Sequence, residues 1–262
     1  MPIIGIDKNK CTNCKSCLQD CPTKNFTLDE NQEQVIFDNL RCILCGHCIA
    51  VCPENAILHD NMGDEVLEYK DGKDPSEIVS YNSLYQLMRS KRSTRQYRKQ
   101  EIPKEIIEKV INSMRYAPTG GNMRNLKCLI ISNKERKKLL SSSIINALEH
   151  GETRDRFNKR MEEGFDPIFY NAPCVLIFYS KNPWDTRNAS ITMTYGMISA
   201  ETLGLGSCWI GYAHGILTDF PHICKELTGI DTYVLGVMIL GYPSVKYYRA
   251  PPRPPIQVRE IN

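Results

Sequence analysis

The sequence predicts an α+β protein: a small cysteine-rich module followed by one larger domain that mixes helices with strands. Three observations predict it. Two copies of one cysteine pattern occupy Cys11–Pro22 and Cys42–Pro53. Past residue 83, segments with helical apolar spacing alternate with continuous apolar runs of strand length, notably CVLIFYS at 174–180. A long segment from Asp185 to Leu203 carries small residues and methionine along its length (Ala189, Met193, Gly196, Met197, Ala200), as a closely packed helix would. On this reading the 262 residues divide into a module over 1–60, a linker over 61–82 and a domain over 83–262.

The cysteine runs read CTNCKSCLQDCP (Cys11, Cys14, Cys17, Cys21) and CILCGHCIAVCP (Cys42, Cys45, Cys48, Cys52). Each has the C-x2-C-x2-C-x3-C-P spacing of bacterial proteins that hold two 4Fe–4S clusters. Three cysteines two residues apart sit on a tight loop and bind three corners of one cubane. The fourth, followed by proline, is carried toward the other cluster. The expected metal-ligand sets are therefore crossed: Cys11, Cys14, Cys17 and Cys52 on one, Cys42, Cys45, Cys48 and Cys21 on the other. Disulfides suit short secreted chains, and zinc sites show two C-x2-C pairs across a longer spacer; neither describes two repeated quartets ending in Cys-Pro.

Residues 1–60 resemble the bacterial two-cluster ferredoxins, with an internal repeat of IDKNKCTNC…DCPTKNFTL against FDNLRCILC…VCPENAILH. The resemblance implies two antiparallel hairpins wrapped around the clusters. Thr23 and Asn55 take turn positions after the prolines, and His47 reads as a solvent-facing loop residue.

A formal charge of +3 with 24% charged residues points to no particular partner; a nucleic-acid surface would need a concentrated basic face. The start, MPIIGIDKNKC, lacks a charged leader followed by an apolar core, and no apolar run approaches the length of a membrane span. Clusters and free thiols fit a reducing compartment, so a cytoplasmic protein is expected, with neither membrane nor nucleic acid as partner. Cys128, Cys174, Cys208 and Cys224 lie mostly in apolar sequence and read as core or near-core residues, a redox role for Cys208 remaining open.

Taken in order, residues 61–80 are polar with Asp-Gly and Asp-Pro turn signals. SLYQLMRSKRS is helical, with Leu84, Leu87 and Met88 on one face and Ser80 or Asn82 as cap. PKEIIEKVINSMRYAP is a second helix with Pro103 in its first turn and Ile106, Ile107, Val110, Ile111 and Met114 inward. TGGNMRN is a glycine-rich loop, 126–132 a strand, and KERKKLLSSSIINALEH a helix. Residues 152–172 are charged and amphipathic, interrupted by Gly164 and Pro167. After the strand at 174–180 and the long helix come GLGSCWIGYAHG, a helix near Thr218–Leu227, the β-rich TYVLGVMILGYP and a proline-rich arm that can form neither helix nor inner strand.

KRSTRQY, APTGGN and GLGSCWIGY, in this order, resemble the nitroreductase family of flavin enzymes over about residues 83–262. The resemblance implies a mixed α+β homodimer that binds FMN at the subunit interface and swaps C-terminal arms. It implies that Lys91, Arg92 and Ser93 face the phosphate and ribityl end, that Arg95 approaches the pyrimidine side of the ring, and that Arg253, with Arg249, adds a second phosphate contact. Asn122 would bond the ring edge or ribityl chain, and the amides near Ile210 and Gly211 would lie by N5. Cations suit a phosphate, and a side-chain amide offers both donor and acceptor. The family loop usually continues with glutamine, proline and tryptophan; here Met123, Arg124, Asn125 and Leu126 follow, so Arg124 and Phe165 are the substrate-side candidates. Segment 152–172, with Phe165, Phe169 and Tyr170, is a candidate lid. The spacing of GLGSCWIGY does not fit G-x-G-x-x-G, which argues against a dinucleotide loop. His59, His150, His214 and His222 are scattered and build no catalytic set.

The two halves together imply an oxidoreductase that passes electrons between 4Fe–4S clusters and FMN to reduce a small nitroaromatic, quinone or enone-like acceptor. A ferredoxin, a flavodoxin or NAD(P)H would be the donor. The second reading is an electron-transfer module that serves a protein partner and has no dedicated small substrate. An open apolar pocket favours the enzyme; a pocket plugged by Arg124 or the lid favours the relay.

Overall fold

The computed structural model describes residues 3–31, 33–69 and 72–261. The chain forms two compact units. The first takes the chain up to Asp74 together with Thr119–Met123; the second takes Pro75–Pro118 and the chain from Arg124 onward.

In the first unit, β1 (Ile3–Ile6), α1 (Ser16–Asp20), β2 (Phe26–Leu28), β3 (Val35–Phe37), α2 (His47–Val51) and β4 (Ile57–His59) follow in order. β2 and β3 form an antiparallel hairpin, but β1 pairs with β4, so the second expected hairpin is instead a closure of the first strand on the last. The reason lies in the repeat. Each half contributes a strand before its quartet and one after it, and each half's leading strand pairs with the other half's trailing strand. Ile3, Phe26, Val35 and Ile57 pack with Cys17 and Cys48 between them. The repeat extends to backbone conformation, with left-handed Asn13 and Leu44, Lys15 and Gly46, and Lys24 and Asn55 at matching places.

The second unit begins with α3 (Pro75–Ile78), α4 (Tyr81–Ser90) and α5 (Lys104–Met114). Ser80 caps α4 by accepting the Ser83 N–H at 3.2 Å. β5 (Lys127–Ile131), α6 (Lys134–Ala147), α7 (Glu152–Glu162), β6 (Cys174–Ser180) and α8 (Thr186–Thr202) follow, then β7 (Gly206–Trp209), α9 (Gly211–Asp219), α10 (Pro221–Thr228) and β8 (Tyr233–Gly241). The strands make one four-stranded sheet of order β5-β6-β8-β7, antiparallel throughout.

Alternation along the strands splits the core in two. Val175, Ile177, Val237 and Ile239 face a layer containing Ile144, Phe169 and Leu217. Leu176, Phe178, Met238 and Leu240 face a layer containing Val110, Met114 and Met193. Because both faces of β6 and β8 are covered, these strands read as unbroken apolar runs. The small residues of α8 serve close helix packing: a Cβ on Gly196 would overlap the Met114 side chain from α5.

The structure refines the reading at three places. GLGSCWIGY supplies edge strand β7 and then opens α9, and the expected helix near Thr218 is two helices separated at Phe220. Segment 152–172 opens with the eleven-residue helix α7, because its charges sit on a helical face with Phe157 turned inward. Phe169 is 0% exposed and belongs to the core, so it cannot be a lid residue. Among the described residues no helix is long and apolar enough to cross a membrane.

Candidate functional site

The cysteine quartets are carried on loops whose left-handed residues (Asn13, Lys15, Leu44, Gly46) turn the chain sharply just before α1 and α2. Cys11, Cys14, Cys17 and Cys52 line one cavity with Val35, Ala56 and Ile57. Electrostatic neighbours follow the same crossing. Burial raises the Cys17 thiol, and Cys52 and Cys11 raise it further. Burial pushes the Cys48 thiol up to about 12, and Cys45, Cys42 and Cys21 add to it. Backbone amides reach the outlying cysteines at matching places: Asn25 N–H donates to Cys21 Sγ at 3.3 Å and Ala56 N–H to Cys52 Sγ at 3.2 Å. Among the described residues no group of three or more His, Cys, Asp or Glu converges on a single ion, and each cysteine is a free thiol. Thiolates around a cubane stand farther apart than those around one zinc ion, and a quartet around a cavity has that character.

In the second unit a cavity of about 550 Å³ is lined by Arg95, Tyr170, Cys208, Ile210, Gly211 and Tyr212, among others. Two chain stretches build its wall. The 91–97 stretch after α4 lies along β7, with a parallel bridge between Ser93 and Ser207. Thr94 N–H and the Lys91 ammonium both donate to the Ser207 carbonyl, at 3.1 and 3.2 Å, and Lys91 also donates to the Arg92 carbonyl at 3.0 Å. Lys91 is thus a strut as well as a cation, and burial lowers its pKa. Arg95 lies over the Tyr170 ring at 5.8 Å. β7 ends at Trp209 and α9 starts at Gly211, so helix-start N–H groups lie at the lining residues Gly211 and Tyr212, while the Ile210 N–H donates to the Val237 carbonyl at 2.8 Å.

Buried donors without partners mark a place built for something else. Arg92 Nε and Ser207 Oγ are both buried without a hydrogen-bond partner. They lie on the two stretches that border the cavity, next to its lining residues Arg95 and Cys208; Lys91, Arg92, Ser93 and Ser207 do not line it themselves, and the Arg92 guanidinium also donates to the Arg89 carbonyl. The residues present therefore fit an anionic, hydrogen-bonding ligand.

Not every expected residue joins this site. Arg249 and Arg253 are exposed on the irregular C-terminal arm, and neither lines the cavity. Arg124, exposed with φ 49, and Phe165, stacked under Arg160 at 4.1 Å, do not line it either. Asn122 lies in the first unit, where its side-chain amide donates to the carbonyls of Ile43 and Leu44, and it does not line the cavity. Of the four other cysteines, Cys174, Cys208 and Cys224 are buried and Cys128 is half-buried. Sequence reasoning missed Glu201, whose carboxyl is raised by burial and lowered again by Lys91 and Arg92. It also missed Asp166, whose Oδ1 takes Ser141 Oγ at 2.7 Å and the N–H groups of Ile168 and Phe169 at 2.9 Å, fixing the turn that carries Tyr170 to the cavity. Isolated acids in charged or mixed stretches give no periodic signal.

Comparison with known proteins decides the family. Residues 88–242 match the model of the nitroreductase family, more than half of the chain. The chain belongs to the nitroreductase family. Residues 10–57 match a 4Fe-4S dicluster domain, so this nitroreductase-family oxidoreductase carries an electron-transfer domain at its N-terminal side. A putative NADH dehydrogenase/NAD(P)H nitroreductase of Archaeoglobus fulgidus is 25% identical over 162 residues, covering 59% of this chain and 82% of that protein. Another, from Methanothermobacter thermautotrophicus, is 22% identical over 188 residues, covering 69% and 85%. A Bacteroides fragilis nitroreductase solved with bound FMN shares the fold at a TM-score of 0.58 and 20% identity, covering 68% of this chain and all of that one.

Proposed function

We propose that this nitroreductase-family chain binds FMN in the cavity of the second unit and two 4Fe–4S clusters on its crossed cysteine quartets, and reduces a small nitroaromatic, quinone or enone-like acceptor. The observation that carries the reading is the pair of buried, unpartnered donors, Arg92 Nε and Ser207 Oγ, on the two stretches bordering a cavity of about 550 Å³. FMN, when bound, supplies a centre that accepts electrons singly and delivers them as a pair.

The chain's own residues do the rest. Lys91 and Arg92 supply charge for the phosphate, with Ser93 beside them, and Glu201 offsets part of that charge where the ligand does not. Arg95, held over Tyr170, places a cation at the cavity wall. Gly211 offers a backbone N–H group at the start of α9, the Ile210 N–H being taken by the Val237 carbonyl at 2.8 Å. Ile168, Tyr170, Trp209 and Tyr212 give the wall an apolar surface suited to a flat ring. Cys11, Cys14, Cys17 and Cys52 hold one cluster, Cys42, Cys45, Cys48 and Cys21 the other.

A homodimer with a shared cofactor site is supported by what one chain leaves uncovered. α4 has no fully buried residue: Leu87 is half-buried, and Leu84 is 38%, Tyr85 42% and Met88 48% exposed. On the C-terminal arm Ile256 is 89% and Val258 79% exposed. A second copy covering both would bring Arg249 and Arg253 to a site. Electrons arrive through the clusters from a ferredoxin or flavodoxin, or from NAD(P)H as the names of the relatives suggest.

The test is anaerobic rapid mixing of the protein, loaded with FMN and iron, with NADH, NADPH or reduced ferredoxin. Flavin and cluster absorbance are followed separately. Cluster bleaching first, then flavin, then oxidation by a quinone or nitroaromatic, is the expected order. Flavin bleaching by nicotinamide ahead of the clusters reverses the route. Reduced protein that reacts with a partner protein and with no small acceptor makes it a relay. Failure to bind flavin removes the reading.

A further inference from the structure

The loop carrying Cys42 and Cys45 is held from outside its own half of the repeat. Asn122, at the end of a 3₁₀ turn (Gly120–Asn122), donates its side-chain amide to the carbonyl of Ile43 at 2.9 Å and to that of Leu44 at 2.7 Å. Both sides of this contact belong to the first unit, which includes Thr119–Met123 although the chain leaves and re-enters the second unit to provide it.

The internal repeat explains what the contact supplies. In the first half the matching position is Asn13, in the left-handed region at φ 57. Its Oδ1 accepts the Val35 N–H at 3.1 Å and its amide donates to the Glu33 carbonyl. Asparagine tolerates this backbone conformation and anchors the loop with its own side chain. In the second half Leu44 holds φ 55 with a branched apolar side chain that neither favours that conformation nor makes a hydrogen bond. Asn122 holds this loop by a different bond, donating its amide to the loop's own carbonyls at Ile43 and Leu44. Its own position is set by Gly121 at φ 57 and by its N–H bond to the Thr119 carbonyl at 2.9 Å.

We propose that Asn122 is a positioning residue for the cysteine loop Cys42–Cys45, fixing the peptide planes next to the cluster that Cys42, Cys45, Cys48 and Cys21 would hold. In a trans peptide the C=O and N–H of one plane point in opposite directions. Carbonyls of Ile43 and Leu44 drawn to Asn122 therefore turn the N–H groups of Leu44 and Cys45 away from it. Hydrogen bonds from backbone N–H to cluster and thiolate sulfur set part of a cluster's potential, so the clamp acts on the second cluster while the first depends on Asn13. The inference rests on the proposed crossed ligand sets.

The experiment uses full-length protein reconstituted anaerobically, as wild type, N122A and N122D; the aspartate keeps the shape but cannot donate. Iodoacetamide alkylation in the presence of an iron chelator, read peptide by peptide, follows each quartet separately. EPR-monitored redox titration reads the potentials, and FMN titration reads flavin affinity. Loss of protection at Cys42, Cys45, Cys48 and Cys21 is expected to be about 10- to 100-fold faster in N122D and intermediate in N122A. Cys11, Cys14, Cys17 and Cys52 keep the wild-type rate, one of two midpoint potentials moves, and FMN affinity stays the same. Equal rates in all three proteins, equal acceleration of both quartets, or loss of FMN affinity with both quartets protected would overturn the proposal. Wild-type protein with the Cys42 quartet unprotected removes the ligand-set reading itself, a distinct failure.

Discussion

Ser207 lies bridged in parallel to Ser93, and its carbonyl takes both the Thr94 N–H at 3.1 Å and the Lys91 ammonium at 3.2 Å. One edge strand thereby positions the whole basic stretch. The neighbouring residue makes the approach possible: a Cβ at Gly206 would stand 2.7 Å from Thr94 Cβ. Gly206→Ala forces these two backbones apart and should destabilise the protein by about 1–3 kcal/mol, as overpacking does. It should also weaken FMN binding more than an equally destabilising change distant from the cavity. Urea unfolding with parallel FMN fluorescence titration measures both; a variant with lost stability and full affinity would show that the stretch positions itself without β7.

Arg92 donates to the Arg89 carbonyl and has Glu201 as a charged neighbour, but its buried Nε has no partner and is left for a phosphate. Arg92→Ala should reduce FMN affinity by roughly tenfold to a hundredfold, about 1.5–3 kcal/mol for a hydrogen bond to a charged group. Riboflavin, which lacks the phosphate, should bind both proteins alike. Equal loss for the two ligands would place Arg92 on the ring instead.

How much of this was legible in the sequence varies with the physics involved. The cysteine spacing gave the quartets because cluster ligation constrains residues close in the chain. CVLIFYS could be read as a strand because both faces of β6 are covered, leaving no polar alternation. GLGSCW could not, since a short edge strand opening on a glycine, with another two residues before it, has the composition of a loop, and only pairing with β8 makes Gly206–Trp209 into β7. The pairing of β1 with β4 depends on the two halves meeting in space, which no local pattern encodes. Asn122 was the instructive case. Its motif pointed to a flavin, yet its amide meets Ile43 and Leu44 from nearly eighty positions earlier.

Asp166 organises the turn beneath Tyr170. Its Oδ1 serves Ser141 Oγ and two backbone N–H groups, and Ser141 is fully buried. Asp166→Ala strands these donors and should lower stability by about 2–4 kcal/mol. The carboxyl is raised by burial even against its donors and Lys137. It therefore binds its proton more tightly folded than unfolded. Its contribution is fully present below the unfolded value of about 3.9 and is lost as pH rises through the raised value. Asp166→Asn should flatten that part of the stability-versus-pH curve. Chemical denaturation at a series of pH values reads it, and an unchanged slope would assign the pH dependence elsewhere.

The crossed cysteine sets make opposite forecasts from two similar substitutions. Cys52 shares a cavity with Cys11, Cys14 and Cys17, although thirty-five residues separate it from the nearest of them. Cys48 has Cys21 among its electrostatic neighbours alongside Cys42 and Cys45. Cys52→Ala should accordingly leave Cys11, Cys14 and Cys17 open to alkylation in reconstituted protein while Cys42, Cys45 and Cys48 stay protected. Cys21→Ala should do the reverse, and each should lower bound iron by about half. Quartets that followed the chain would give the mirror image, Cys52→Ala exposing Cys42, Cys45 and Cys48. Peptide-resolved alkylation with iron quantification distinguishes the two patterns. Because β1 pairs with β4 and β2 with β3, each strand pair joins the two halves, so either variant should keep enough of the module folded for the surviving quartet to assemble.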